Sequence, residues 1–238
     1  PGTPRGQAAQ IPNSALMNSA ASYDELAKNL ADLNSGKIDL TSTWFKGVAD
    51  VYVKLRNAGC FPDNATGVTE AAAYNLFATG KSPILPIGTF AMTSIITLNP
   101  ALNGKMELMS MILTDGPVVA EGIMNNTFIL SVNKNSTPRD QQIANAFLSY
   151  MVTGKVAQIY ANESLQHVNV LDVDYTNVNL LNTSSFQAKN TMLAPRFLLL
   201  NAAVSDLTQD ALIQIVGGKS PDDVLPDFSK QIKQKLAA

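Results

Sequence analysis

The residues of this chain that could do chemistry are few, and most point away from catalysis. The single histidine, His167, stands between Gln166 and Val168 with no cysteine, second histidine or His-Glu-x-x-His spacing beside it, so neither a zinc site nor a histidine-assisted nucleophile can be built around it. The single cysteine, Cys60, has no second thiol for a disulfide, redox pair or metal, and following Gly59 at a helix end it reads as a half-buried structural residue. Two acidic pairs, Asp172/Asp174 and Asp222/Asp223, offer the carboxylates that glycoside hydrolysis needs. The first, however, lies in a polar tract and the second in the first turn of a helix, where acids complement the dipole. No Gly-x-Ser-x-Gly, P-loop or Gly-x-Gly-x-x-Gly spacing occurs. What remains is chemistry of binding. In Ile84-Leu85-Pro86-Ile87-Gly88-Thr89-Phe90 a short apolar run reads as a buried strand, and Gly88-Thr89-Phe90 opens the next helix. There Gly88 lets the backbone come close, the helix start leaves N–H groups free, and Phe90 adds a flat apolar face. Polar donors beside a stacking platform suit a sugar; the competing place for Phe90 is the core.

The composition agrees with a globular binder. Of 238 residues, 46% are hydrophobic and 15% charged, enough apolar side chain for a full core. The net charge is −2 with no dense run of Lys or Arg, which excludes nucleic acid and anionic membrane as main partners. No apolar run approaches the ~18 residues of a membrane span. Pro1-Gly2-Thr3-Pro4-Arg5-Gly6 has none of the regions of a signal peptide, and Pro1 is no translation start, so the sequence reads as a processed or cut chain.

The elements that must position these residues alternate helices with short apolar runs. Ser22 with Glu25 is a capping box for a helix to about Leu33, after a weakly helical Ile11 to Ala21. Thr41-Ser42-Thr43 starts a second helix whose Trp44, Val48, Tyr52 and Leu55 form one stripe toward a core, and Gly59 ends it. Thr69 caps a third, from Glu70 to about Ala78. Beyond the Ile84–Ile87 strand, Lys105 to Leu113 and Thr127 to Val132 read as strands, with a turn at Thr114-Asp115-Gly116-Pro117. Thr137 and Pro138 open a helix with Ile143, Phe147 and Met151 as its apolar face, and Lys155 to Asn162 forms another. Asp172 to Asn190 is polar, irregular or loosely helical surface. A helix from Ser205 or Asp206 runs to Gly217-Gly218, and Ser220-Pro221-Asp222-Asp223 starts the last one. The class is α/β, rich in helix.

Several of these stretches together resemble one family. Leu33-x-x-Gly36-Lys37 with Trp44, Leu55-x-x-x-Gly59, and Gly67-Val68-Thr69-Glu70-Ala71 come first, followed by Phe77-x-x-Gly80-Lys81 through Gly88-x-Phe90, Asp115-Gly116-Pro117, Leu130 to Ser136 with Ala144-x-x-Phe147-Leu148-x-Tyr150, and Gly218-Lys219-Ser220-Pro221-Asp222-Asp223-Val224-Leu225. In this order they are similar to the extracellular sugar-binding proteins of ABC importers, of the maltose-binding-protein type. The resemblance implies a type II periplasmic-binding-protein-like fold of two lobes, with residues 1–115 and 192–238 in the carboxy-terminal lobe and 116–191 in the remaining part of the amino-terminal lobe. Most of the amino-terminal lobe, on the order of a hundred residues by domain-size priors, has no counterpart here. It also implies a carbohydrate ligand, an oligosaccharide held between the lobes, delivery to the permease subunits of an ABC importer, an extracellular or periplasmic place with a lipoprotein anchor in the full-length form, and a monomer. It implies no cofactor, metal or catalytic group.

By the same resemblance the sugar-facing residues are Gly88, Thr89 and Phe90, with Phe90 in the aromatic place of the motif. Asn125 and Asn126 fall at the inner rim of the cleft, Gln10 and Asn13 in the pocket, and Asn201 to Asp206, Ser205 among them, on the penultimate helix. Amides suit sugar hydroxyls because they both donate and accept. A carbohydrate-processing enzyme and an interaction module that kept part of the fold are the competing readings.

Overall fold

The computed structural model describes residues 10–62, 64–125 and 130–237. In chain order the helices of the first half are α1 (Gln10–Met17), α2 (Tyr23–Asn34), α3 (Thr43–Asn57), α4 (Glu70–Ala78) and α5 (Met92–Leu98). Strand β1 (Gly122–Ile123) follows, then α6 (Pro138–Met151), α7 (Gly154–Ser164) and α8 (Val178–Ser184). Strand β2 (Thr191–Met192), α9 (Ala202–Val216) and α10 (Pro221–Leu236) complete the described elements. The chain is thus mostly helical with a small parallel sheet, consistent with an α/β class. No described helix is long and apolar enough to cross a membrane.

Local chemistry sets the helix starts. Ser22 accepts from the Glu25 N–H at 3.2 Å, while the Glu25 carboxylate reaches back to the Ala21 N–H at 3.0 Å, one residue beyond the N-cap. Ser42, Thr69, Thr137 and Ser220 likewise accept from backbone N–H groups two or three residues on. At the other ends Gly36, Gly59 and Gly80 take left-handed φ angles of 77°, 71° and 73°, which a side chain would resist. Helix α9 starts at Ala202 rather than Ser205 or Asp206, because Asn201 accepts from the Ala203 and Val204 N–H groups at 3.0 and 3.3 Å.

The molecule divides into two compact units, Pro1–Ile87 with Ser110–Asn125 and Lys189–Ala238, and Gly88–Met109 with Asn126–Ala188. The first holds a core in which Leu26, Leu30 and Leu33 of α2 meet Phe45, Val48, Ala49 and Tyr52 of α3, Leu212 and Ile215 of α9, and Val224, Leu225, Phe228 and Ile232 of α10. Each fully buried Leu, Ile or Phe contributes roughly 1.5–3 kcal/mol. Phe45, not Trp44, is the buried aromatic at the start of the α3 stripe; Trp44 packs on the edge and donates its indole N–H to Ser19 Oγ at 2.9 Å. Cys60, expected half-buried, is exposed, since the chain leaves the core at Gly59.

The sheet of this unit pairs Gly122 with Thr191 and Ile123 with Met192 in parallel. Its ladder is extended by Glu121 N–H to Asn190 O at 2.7 Å and Met124 N–H to Met192 O at 3.0 Å. The strands expected at Ile84–Ile87 and Lys105–Leu113 do not form: neither has a ladder partner among the described residues. Of the strand expected at Thr127–Val132, residues 127–129 lie outside the described residues and 130–132 are not strand.

The second unit gathers α5, α6, α7 and α8. Its buried residues include Met92 and Ile95 of α5, Met106, Ala157 and Ala161 of α7, and Leu180 of α8. Asn179, fully buried, donates to Asn103 Oδ1 at 2.7 Å and accepts from the Gly104 N–H at 2.9 Å, and Asn182 donates to Gly104 O at 3.0 Å. These bonds tie residues 103–104 to α8, and Gly88–Met109 groups with this unit, where the sequence reading has 1–115 in one lobe. The other boundaries also move, with 116–125 and 189–191 grouping with the first unit. Helix α6 buries no side chain, and Ile143 and Phe147, expected to face a core, are 59% and 55% exposed.

Candidate functional site

Phe90 stands in a 3₁₀ turn, Thr89–Ala91, that runs directly into α5. Gly88 closes this turn by accepting from the Ala91 N–H at 3.1 Å. The Phe90 ring folds back over Gly88: a Cβ there would lie 2.6 and 2.8 Å from two ring carbons, so only glycine leaves the ring its seat. Phe90 is nevertheless 40% exposed, and Thr89 beside it is half-buried. The aromatic face of the sequence reading is therefore present. The strand before it is absent, and the helix behind it has only seven residues.

In the first unit two of the expected ligand amides each accept a backbone hydrogen bond. Asn13, 2% exposed, accepts from the Arg196 N–H at 3.2 Å, and Asn125 accepts from the Ala194 N–H at 2.8 Å. The two therefore clamp one stretch of backbone, at the 3₁₀ turn Pro195–Leu198, with the carbonyl oxygens that a sugar would have used. Ser205, on the first turn of α9, accepts from the Gln209 side chain at 3.2 Å. The Gln10 side chain and Asn126 lie outside the described residues. Asn13 and Asn125 are thus brought together on one turn, while Ser205 is not hydrogen-bonded to that turn.

That turn carries a residue the sequence reading passed over. The Arg196 guanidinium lies 4.9 Å from the centroid of the Phe197 ring, and Phe197 is 53% exposed. Arg196 Nε is buried with no hydrogen-bond partner, and burial pulls the pKa of the group down. The available signal was composition: Arg196 is the one charge in the apolar run Met192 to Leu200.

Elsewhere the polar groups serve the fold. His167 Nε2 meets Thr183 Oγ1 at 3.1 Å, the ring packs edge-on against Tyr175, and burial lowers its pKa. Asn162 holds the 174–177 loop, accepting from Thr176 and Asn177 N–H groups at 2.8 and 2.9 Å and donating to Asp174 O at 2.9 Å. Asp222 and Asp223 sit in the first turn of α10. Among the described residues no group of His, Cys, Asp and Glu could hold a metal ion. Two grooves indent the first unit. One of about 600 Å³ lies between Asp39, Thr41 and the Ser229–Gln234 face of α10, and one of about 310 Å³ runs beside Tyr23, Ala120 and Asn190 to Leu193. Neither is lined by an expected sugar-facing residue. No family model, curated protein or solved structure matches the chain.

Proposed function

We propose that this chain is an extracellular or periplasmic solute-binding protein of two lobes, which captures a carbohydrate and hands it to the permease subunits of an ABC importer. The observation that carries the reading is Phe90, an aromatic ring held against Gly88 at the start of a helix and left 40% exposed, when burying it would have added to stability. The ordered resemblance of the sequence motifs supports the same class. In this reading the protein is a monomeric binder, anchored as a lipoprotein in its full-length form, and it does no chemistry on its ligand.

Binding to the native state raises the unfolding temperature by mass action. A panel of neutral and acidic oligosaccharides screened by thermal shift should give a concentration-dependent rise for at least one. No rise across the panel refutes a saccharide ligand, and product formation during incubation refutes the binder in favour of an enzyme.

A further inference from the structure

A guanidinium that is taken out of water is normally paired, because its donors lose solvent and must find acceptors. Arg196 is only half-buried, and it departs from this rule at one atom. Its Nε is buried without a partner, and it joins none of the ion pairs among the described residues. The root of the side chain is fixed, since Asn13 holds the Arg196 N–H and Asn125 holds the Ala194 N–H two residues earlier. The head lies 4.9 Å from the centroid of the exposed Phe197 ring. The terminal N–H donors of a guanidinium beside an aromatic ring suit an oxyanion on a ring-shaped ligand. A neutral hydroxyl accepts one such donor; a carboxylate accepts two in parallel.

We propose that Arg196 and Phe197 form a subsite for an acidic saccharide, the carboxylate or sulfate of the sugar on the guanidinium and its ring beside Phe197. The inference rests on the saccharide reading above and narrows it to anionic ligands. Asn13 and Asn125 are positioning residues in this account, acting through the backbone of the Ala194–Arg196 turn.

The test is titration calorimetry on the whole chain with four probes: trigalacturonate, a sulfated galactose trisaccharide, maltotriose and citrate. One of the two acidic saccharides should bind at least about tenfold more tightly than maltotriose, and which one it is identifies the oxyanion. Arg196→Gln should abolish that preference without weakening maltotriose, while Arg196→Lys, which keeps the charge but not the fork, should retain part of it. The thermal midpoint of Arg196→Gln should not fall, since a buried donor without a partner is being removed. Equal affinity for acidic and neutral trisaccharides overturns the subsite and leaves the saccharide reading standing. Citrate binding alone, lost in Arg196→Gln, keeps an anion site but overturns the saccharide, and silence from all four probes overturns both. Should Arg196→Gln fail to fold, the selectivity of the unmodified chain and of Arg196→Lys still decides.

Discussion

Asn18 gives the sharpest measurable consequence of the way this chain uses its amides. It is 5% exposed at the end of α1, and its side chain does the work of a neighbouring strand: Oδ1 accepts from the Val119 N–H at 2.7 Å and the Ala120 N–H at 3.0 Å, and Nδ2 donates to Ala120 O at 3.0 Å. Asn18→Ala removes three hydrogen bonds and strands two donors and one acceptor. Each bond contributes about 0.5–1.5 kcal/mol net, and each stranded buried group costs about 1–3 kcal/mol, with part of the second recovered by relaxation. The expected loss is about 3–5 kcal/mol, a large share of the roughly 5–15 kcal/mol that holds a domain together. Urea unfolding followed by Trp44 fluorescence reads it directly, because that indole donates to Ser19, the next residue along. Asn75→Ala, the same change on the exposed face of α4, is the control and should shift stability by no more than about 0.5 kcal/mol. A loss below about 1 kcal/mol for Asn18→Ala would refute the reasoning, for it would mean that water or backbone movement satisfies the freed groups.

Two further outcomes are expected. Phe90→Ala should lower stability by less than about 1.5 kcal/mol, against the ~3–5 kcal/mol of a buried phenylalanine, while costing about 1–3 kcal/mol of saccharide binding. A larger loss of stability with affinity intact places the ring in the core instead. The Asp39 carboxylate is held below its ordinary pKa of 3.8 by Lys233 Nζ at 2.6 Å and then by Thr41 Oγ1 at 2.5 Å. A depressed folded-state pKa contributes stability that is present above the unfolded value and lost as pH falls through the folded one. Stability should therefore drop more steeply below about pH 4 in the unmodified chain than in Asp39→Asn, and parallel stability curves for the two would refute the assignment.

What the sequence could announce was whatever is decided within three or four residues. The caps at Ser22, Ser42, Thr69, Thr137 and Ser220 are side chains meeting nearby N–H groups, and all five were readable. The strands were not, because a strand exists only by its partner: Gly122 and Thr191 are a strand pair although neither lies in an apolar alternation, while Ile84–Ile87 has the right composition and no ladder partner among the described residues. The backbone partners of the asparagines were unreadable for the same reason. Nothing near Asn13 or Asn125 in the chain reveals that a backbone N–H some 70 or 180 positions later will occupy its carbonyl. The approach of the Phe90 ring to Gly88 was readable because the two stand only two positions apart in sequence.

The first unit is stitched from three separated stretches, and its core needs Leu212, Ile215, Leu225 and Phe228 from the last of them to cover Leu30, Leu33 and Phe45 from the first. On the ribosome, that apolar surface stays open until the last of these stretches has emerged, with all of the second unit synthesised in between. Closing loops of that length slows folding and lengthens the time in which a nascent chain can be held by a chaperone.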